Sequence, residues 1–305
     1  MRIPLAVAEI ILALALWAVA LTALAFHREP FVSLLYYFAW WPYLLFLDGV
    51  LLFLQGESWL FFRTREFLRL AFLSVSVWLA FEVLNLFLHN WRYLGLLPQW
   101  YARWPGYALA FATVLPGIFL TSRVLQALGL GRDARGPGRP LGRWQPWSLM
   151  LGAAMLVLPL VCPTCAFPLI WLAFIFLLDP FCHLLGGESL LSRWASGERR
   201  EILCLAAAGL ICGLWWEMWN YPAGAKWVYT LPAFNYWRIF EMPLLGYLGF
   251  LPFALECRVM YNFINVLEPR LFQNRSGRRY YFLAHLAFWV LMFAALDRWT
   301  VISFK

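Results

Sequence analysis

Stretches of about 20 apolar residues follow one another along almost the whole chain, and no other feature restricts its fold as strongly. A helix needs that length to cross the hydrocarbon core of a bilayer. Such stretches lie near residues 4–26, 31–55, 68–88, 105–128, 146–161, 165–185, 202–221, 243–263 and 280–302. None shows the two-residue alternation of a membrane-spanning strand, which argues against a transmembrane barrel. The 305 residues are 63% hydrophobic and only 13% charged, whereas a soluble domain carries about 25% charged residues. That excludes a soluble globular, a disordered or a disulfide-stapled secreted protein. The sequence predicts an all-α integral membrane protein of about nine transmembrane helices. Ala23-Leu24-Ala25 resembles a signal cleavage site. The apolar run before it is longer than the roughly 7–15 residues of a signal core, so it reads as the first span.

Charge orients the spans. With the N-terminus inside, 15 of the 24 basic residues are cytoplasmic: Arg2, Arg63, Arg65, Arg69, Arg132, Arg135, Arg139, Arg143, Arg193, Arg199, Arg200, Arg270, Arg275, Arg278 and Arg279. The outer side has 7, namely Arg28, Arg92, Arg103, Lys226, Arg238, Arg298 and Lys305, while Arg123 and Arg258 fall near the cytoplasmic ends of spans. This bias follows the positive-inside rule and gives an N-in, C-out arrangement in a multi-pass cell membrane of the bacterial inner-membrane kind. The net charge of +8 is thus a topology signal and not a nucleic-acid footprint. Two short spans joined by Cys162-Pro163-Thr164-Cys165 keep the arginine-rich loops 129–145 and 186–200 on the same side.

The chain also repeats itself. Asp48 precedes Gly56-Glu57-Ser58 at the offset by which Asp179 precedes Gly187-Glu188-Ser189. Phe81-Glu82-Val83-Leu84-Asn85 and Trp91-Arg92-Tyr93 return as Trp216-Glu217-Met218-Trp219-Asn220 and Trp227-Val228-Tyr229. The unit holds four spans, an even number, so the halves run parallel and are related by an axis along the membrane normal. Residues 1–128 form the first repeat, 129–145 a basic linker, 146–263 the second repeat, and 264–305 a cytoplasmic loop with an additional C-terminal helix.

An acid within a span is expensive and normally faces a partner or a cavity. Glu82 with Asn85, and Glu217 with Asn220, are three apart on a helix and share a face near the outer boundary. The second half has two further acids, Glu241 and Glu256, where the first has none. An asymmetric site is therefore expected, with Glu217 and Glu241 as acid and counter-charge and Glu82 in support. Asn85, Asn220, Trp215, Trp216, Trp227, Tyr229 and Glu256 would contact substrate. Aromatic faces attract cations, and a carboxylic acid in an apolar pocket can keep its proton for donation, so the combination suits a carbocation reaction. Asp48 and Asp179 are expected either to pair with Arg123 or Arg258 or to serve the site. Ser58 and Ser189 read as caps of short helices.

Other chemistries lack their signatures. The Cys162/Cys165 pair has no second redox pair to relay electrons. His27, His89, His183 and His285 show no metal-ligand spacing, and no nucleotide-binding glycine loop or paired DxxxD motif occurs. Neither a metal nor a cofactor is expected.

The segment from Trp216 to Glu256 resembles the membrane lycopene cyclase domain of the heterodimeric and fused type. In that family a helix ends in Trp-Asp, a loop carries Gly-x-Trp-x-Tyr, and the next helix opens with Pro-x-Glu-Glu. Here the counterparts are Trp216-Glu217, Ala225-Lys226-Trp227-Val228-Tyr229 and Glu241-Met242-Pro243. Glu replaces the Asp, the paired glutamates are missing, and the repeat has four spans in place of three. The resemblance implies acid catalysis on a long isoprenoid drawn from the membrane, with Glu217 or Glu241 near the protonating position. Two other classes stay open. One is a transporter, which needs a polar route between inner and outer acids. The other is a structural or assembly subunit that holds a membrane-complex partner or forms a homo-oligomer.

Overall fold

The computed structural model describes residues 2–302 apart from Pro140, Leu141, Phe234 and Asn235; Lys305, assigned above to the outer side, lies outside the described residues. Helices α1 (Arg2–Ala25) and α2 (Leu35–Gln55) pack as a hairpin, and α3 (Thr64–Leu88) leads into strand β1 (Trp91–Leu94). The first half closes with α4 (Trp100–Phe111) and α5 (Val114–Ala127). The second half begins with α6 (Gln145–Val161), the single turn α7 (Pro163–Ala166) and α8 (Ile170–Leu184). It continues through the short α9 (Leu190–Ser196) and α10 (Arg200–Asn220) to strand β2 (Lys226–Tyr229). A small hairpin, β3 (Arg238–Ile239) and β4 (Met242–Pro243), precedes α11 (Phe250–Leu271), and α12 (Arg275–Ala295) ends the chain's helical part.

This is an all-α membrane protein. Among the described residues, eight helical stretches are long and apolar enough to span a bilayer, and the 17-residue α6 is a shorter apolar helix. α6 packs along α8, so residues 146–185 form a hairpin of two segments, as the charge pattern requires. Two of the expected spans are irregular within. The stretch near 105–128 is two helices with a break at Ala112–Thr113, and the span near 243–263 becomes α-helical only at Phe250, after a β-hairpin and a 3-10 turn.

The outer helices show why each segment takes its place. α1 buries Ala6, Glu9, Ala13 and Ala20, which recur at three- to seven-residue intervals on one face, and offers the rest of its apolar surface outward. α12 buries only Met292 and Phe293 before its final turn. The core lies between α2, α3, α5, α10 and α11, where Trp40, Phe81, Leu115 and Ile118 are fully enclosed.

The sequence repeat is also a repeat of hydrogen bonds. Asp48 accepts from Ser58 Oγ at 2.5 Å, Trp59 N at 2.7 Å and Leu60 N at 3.3 Å. Asp179 accepts from Ser189 Oγ at 2.6 Å, Leu190 N at 2.8 Å and Leu191 N at 3.0 Å. Each aspartate thus satisfies the start of the segment after its own helix, which corrects the expected pairing with Arg123 or Arg258. Ser189 caps α9 as read from the sequence, and Ser58 accepts from Phe61 N at 2.9 Å in the same manner.

The halves meet through α5 against α10 and through an antiparallel β1–β2 ladder. Trp91 faces Tyr229, Arg92 faces Val228 and Tyr93 faces Trp227. Exchanging equivalent residues of the two repeats maps this register onto itself, so a pseudo-two-fold passes through the Arg92–Val228 pair. Gly95, at a positive φ of 64°, lets the chain leave β1 where a Cβ would lie 2.1 Å from the Gly224 carbonyl oxygen.

The end of the additional helix is fastened to the first half. Asp297 receives Arg103 Nε at 2.7 Å, Arg103 Nη2 at 2.5 Å, Trp104 Nε1 at 2.8 Å and Tyr107 OH at 2.9 Å, and Ile302 N donates to the Tyr93 carbonyl at 3.0 Å. Removing one member of such a largely buried, two-pronged pair leaves the other charge uncompensated, at a cost of about 3–5 kcal/mol. Arg103→Ala and Asp297→Ala should each lower the thermal unfolding temperature of the detergent-solubilised protein. The double variant should fall short of the sum of the two losses.

Candidate functional site

Side chains alternate across a strand, so Trp91 and Tyr93 share one face of the ladder with their partners Tyr229 and Trp227. That face carries four aromatic side chains toward the ends of α3 and α10, where Glu82 and Glu217 are fully buried. Two asparagines set this geometry. Asn85 donates Nδ2 to the Trp91 carbonyl at 3.0 Å and accepts from Trp91 N at 3.1 Å. Asn220 does the same to Trp227 at 2.8 and 2.9 Å. An asparagine side chain offers one donor and one acceptor, matching one backbone residue, so each helix end holds its own strand in place. Asn85 and Asn220, expected to contact substrate, are turned to their strands and are not in the cavity wall.

The two carboxyl groups differ in their donors. Glu82 Oε1 accepts from Tyr93 OH at 2.5 Å, Trp78 Nε1 at 3.0 Å and Trp91 Nε1 at 3.1 Å. Glu217 Oε1 accepts from Tyr229 OH at 2.6 Å, and Trp227 Nε1 donates to the Tyr229 oxygen at 3.0 Å. The position equivalent to Trp78 is Gly213, where an added Cβ would lie 2.2 Å from the Phe250 ring. The second half thus has a phenyl face where the first has an indole N–H. Oε2 of both glutamates is buried with no hydrogen-bond partner among the described residues. Burial first, and the adjacent carboxyl second, push the Tyr93 and Tyr229 phenols up from their ordinary value, so both hydroxyls persist as donors.

A cavity of about 180 Å³ opens between the halves against this face, with Glu217, Trp216, Trp227, Tyr229, Trp91 and Tyr93 in its wall. Trp78, Trp171, Tyr36, Phe250 and Phe253 add to the aromatic lining. Trp171 lies 5.7 Å from Phe253 edge-on and 6.3 Å from Trp91 in a stacked arrangement, and Trp216 lies 5.9 Å from Phe250. Trp216 Nε1 donates to Tyr36 OH at 3.2 Å, fixing the indole plane.

Of the residues singled out from the sequence, Glu217, Trp216, Trp227 and Tyr229 meet at this wall. Glu82 stands just behind Tyr93 and Trp91. Three others do not join them. Glu241 sits in the turn between β3 and β4 and is bound to Lys226 Nζ at 2.7 Å, so its charge is neutralised at the cavity's edge. Trp215 stacks on Trp219 at 5.2 Å and approaches Tyr43 at 6.1 Å, and it does not line the cavity. Glu256 accepts from Phe174 N at 2.8 Å between α8 and α11 and does not line the cavity. Trp78 was legible in principle, since it lies four residues before Glu82 on the same helix face. Trp171 and Tyr36 come from distant helices, and their spacing carries no signal.

Asn220→Ala removes two hydrogen bonds from the half-buried Trp227 backbone, where a hydrogen bond contributes about 0.5–1.5 kcal/mol. The variant should unfold several degrees earlier by thermal melt, and Asn85→Ala should behave alike if both asparagines anchor strands. Comparisons with protein-family models, curated proteins and solved structures find no match to this chain.

Proposed function

We propose that this chain is a membrane enzyme that acts by acid catalysis on one end of a long apolar lipid, of isoprenoid or carotenoid type, admitted to the aromatic cavity between the repeats. One observation carries the reading: a glutamate, Glu217, has a buried and unpartnered Oε2 at the wall of a cavity lined by indole, phenol and phenyl rings. The volume of about 180 Å³ is small beside the roughly 300–1,000 Å³ of a site that encloses a whole ligand. It suits an end group, with the rest of the chain lying in lipid.

In this reading Glu217 transfers a proton to one carbon of a double bond. The π pair forms the new C–H bond and the neighbouring carbon becomes cationic. Ring faces hold that cation, and Glu82 Oε1, which accepts from Tyr93, Trp91 and Trp78, holds three of those rings in place. Loss of a proton from another carbon to the Glu217 carboxylate completes an isomerisation. If a second double bond of the same chain first attacks the cation, its π pair forms the ring C–C bond and the proton is lost from next to the new cation, with no net redox change in either case. The resemblance of Trp216-Glu217 and Trp227-Val228-Tyr229 to the lycopene cyclase motifs supports the same substrate class. A carrier would call for a polar route along α10, yet residues 202–216 have no charged side chain.

Lipids and pigments that copurify with the protein can be extracted and compared by mass spectrometry for the native chain and Glu217→Gln. Glu217→Gln should accumulate an unreacted isoprenoid and lose its product, and Glu241→Gln should retain turnover. Identical profiles for native and Glu217→Gln protein would overturn the proposal.

A further inference from the structure

At the other end of α10 lies a second cavity, of about 420 Å³, with a different character. Seven arginines and three glutamates contribute to its wall. α10 touches the aromatic cavity through Trp216 and Glu217 and this one through Arg200, Glu201 and Leu205. At 1.5 Å per residue the two sites are roughly 20 Å apart along the helix.

Part of the charge is internally balanced. Arg193 and Arg258 form a closed ring with Glu188 and Glu201, each arginine within 3.1 Å of both carboxylates. The remaining arginines are not balanced. Arg123, Arg132, Arg135, Arg199 and Arg200 share the cavity with Glu198 as the one further acid in its wall. Arg123 lies over the Trp59 ring at 5.8 Å and Arg199 over the Trp194 ring at 4.7 Å, which fixes their planes without neutralising them. Arg200 uses Nε and Nη2 on the carbonyls of Leu130 and Gln126. Nε of Arg199 and Nε of Arg258 are buried with no partner among the described residues.

Positive-inside topology accounts for arginines on this side, but dispersed loops would satisfy it equally well. Convergence on one cavity brings like charges together, which is unfavourable unless an anion occupies the centre. The site is also at the N-terminus of α10, whose dipole favours negative charge. Guanidinium groups match the oxygens of phosphate in a planar, two-pronged manner.

We propose that this inner cavity is a binding site for a phosphate-bearing ligand, either a free phosphorylated compound or the headgroup of an anionic lipid, at the junction of the two repeats. The proposal is independent of the reading of the aromatic cavity. The probes are inorganic pyrophosphate, titrated into protein in a zwitterionic detergent, and nanodiscs of phosphatidylcholine with or without phosphatidic acid. Thermal unfolding is the readout in both. Saturable stabilisation by pyrophosphate supports a free ligand, and stabilisation by phosphatidic acid alone supports a headgroup. Arg132→Gln/Arg135→Gln alters two exposed loop side chains of the wall, and should weaken the effect by about tenfold or more, the scale of one charge-assisted hydrogen bond. Arg139→Gln/Arg143→Gln, equally basic positions outside the wall, should leave it unchanged. No saturable effect from either probe would overturn the proposal. So would an equal loss in the two double variants, which would reveal only general surface charge.

Discussion

Hydrocarbon offers no hydrogen bonds, so every polar group that this chain takes into the bilayer must be met by another part of the chain. That constraint shapes the protein more than apolar packing does, because apolar side chains gain little by leaving lipid for one another. Asp48 and Asp179 answer it by gathering the amides and hydroxyl of the segment that follows. Asn85 and Asn220 answer it by holding a strand residue at both backbone groups. Asp297 answers it with an arginine, a tryptophan and a tyrosine from another helix. In each case the buried polar group determines where a turn, strand or helix must lie.

Against this background the unsatisfied oxygens stand out. Oε2 of Glu82, Glu217 and Glu256, and both carboxyl oxygens of Glu9, are buried without donors among the described residues, and of these four glutamates Glu217 is the one in the wall of the aromatic cavity. Glu82 and Glu217 differ in two donors. Trp78 and Trp91 both reach Glu82, while Gly213 gives the place of the first to Phe250 and Trp227, the counterpart of the second, turns to the Tyr229 oxygen.

Much of the architecture was legible in the sequence, for a physical reason. Membrane spans are long and uniformly apolar, so composition alone gives the segments. The repeat could be read because polar residues are rare within spans, and a few ordered matches therefore carry information. Glu217, Trp216, Trp227 and Tyr229 came from that repeat, and the structure does gather them. The misplaced residues share a cause. Glu241, Glu256 and Trp215 were chosen by residue type, and sequence does not disclose that Lys226 and the Phe174 amide were waiting for the first two. Nor could it show that residues 238–243 would turn as a hairpin, since two-residue strands leave no periodic trace.

The β1–β2 register has one more implication. A ladder in which Trp91 meets Tyr229 and Tyr93 meets Trp227 places no demand on the two strands to belong to one polypeptide. It is an isologous contact, the kind by which two copies of a half-length protein would close upon each other. Tying the copies into one chain keeps that contact while releasing each half from having to remain identical. Only one side of the joined molecule then needed to accept α12 and the pairing of Ile302 with Tyr93, which a symmetric dimer would have had to accommodate twice.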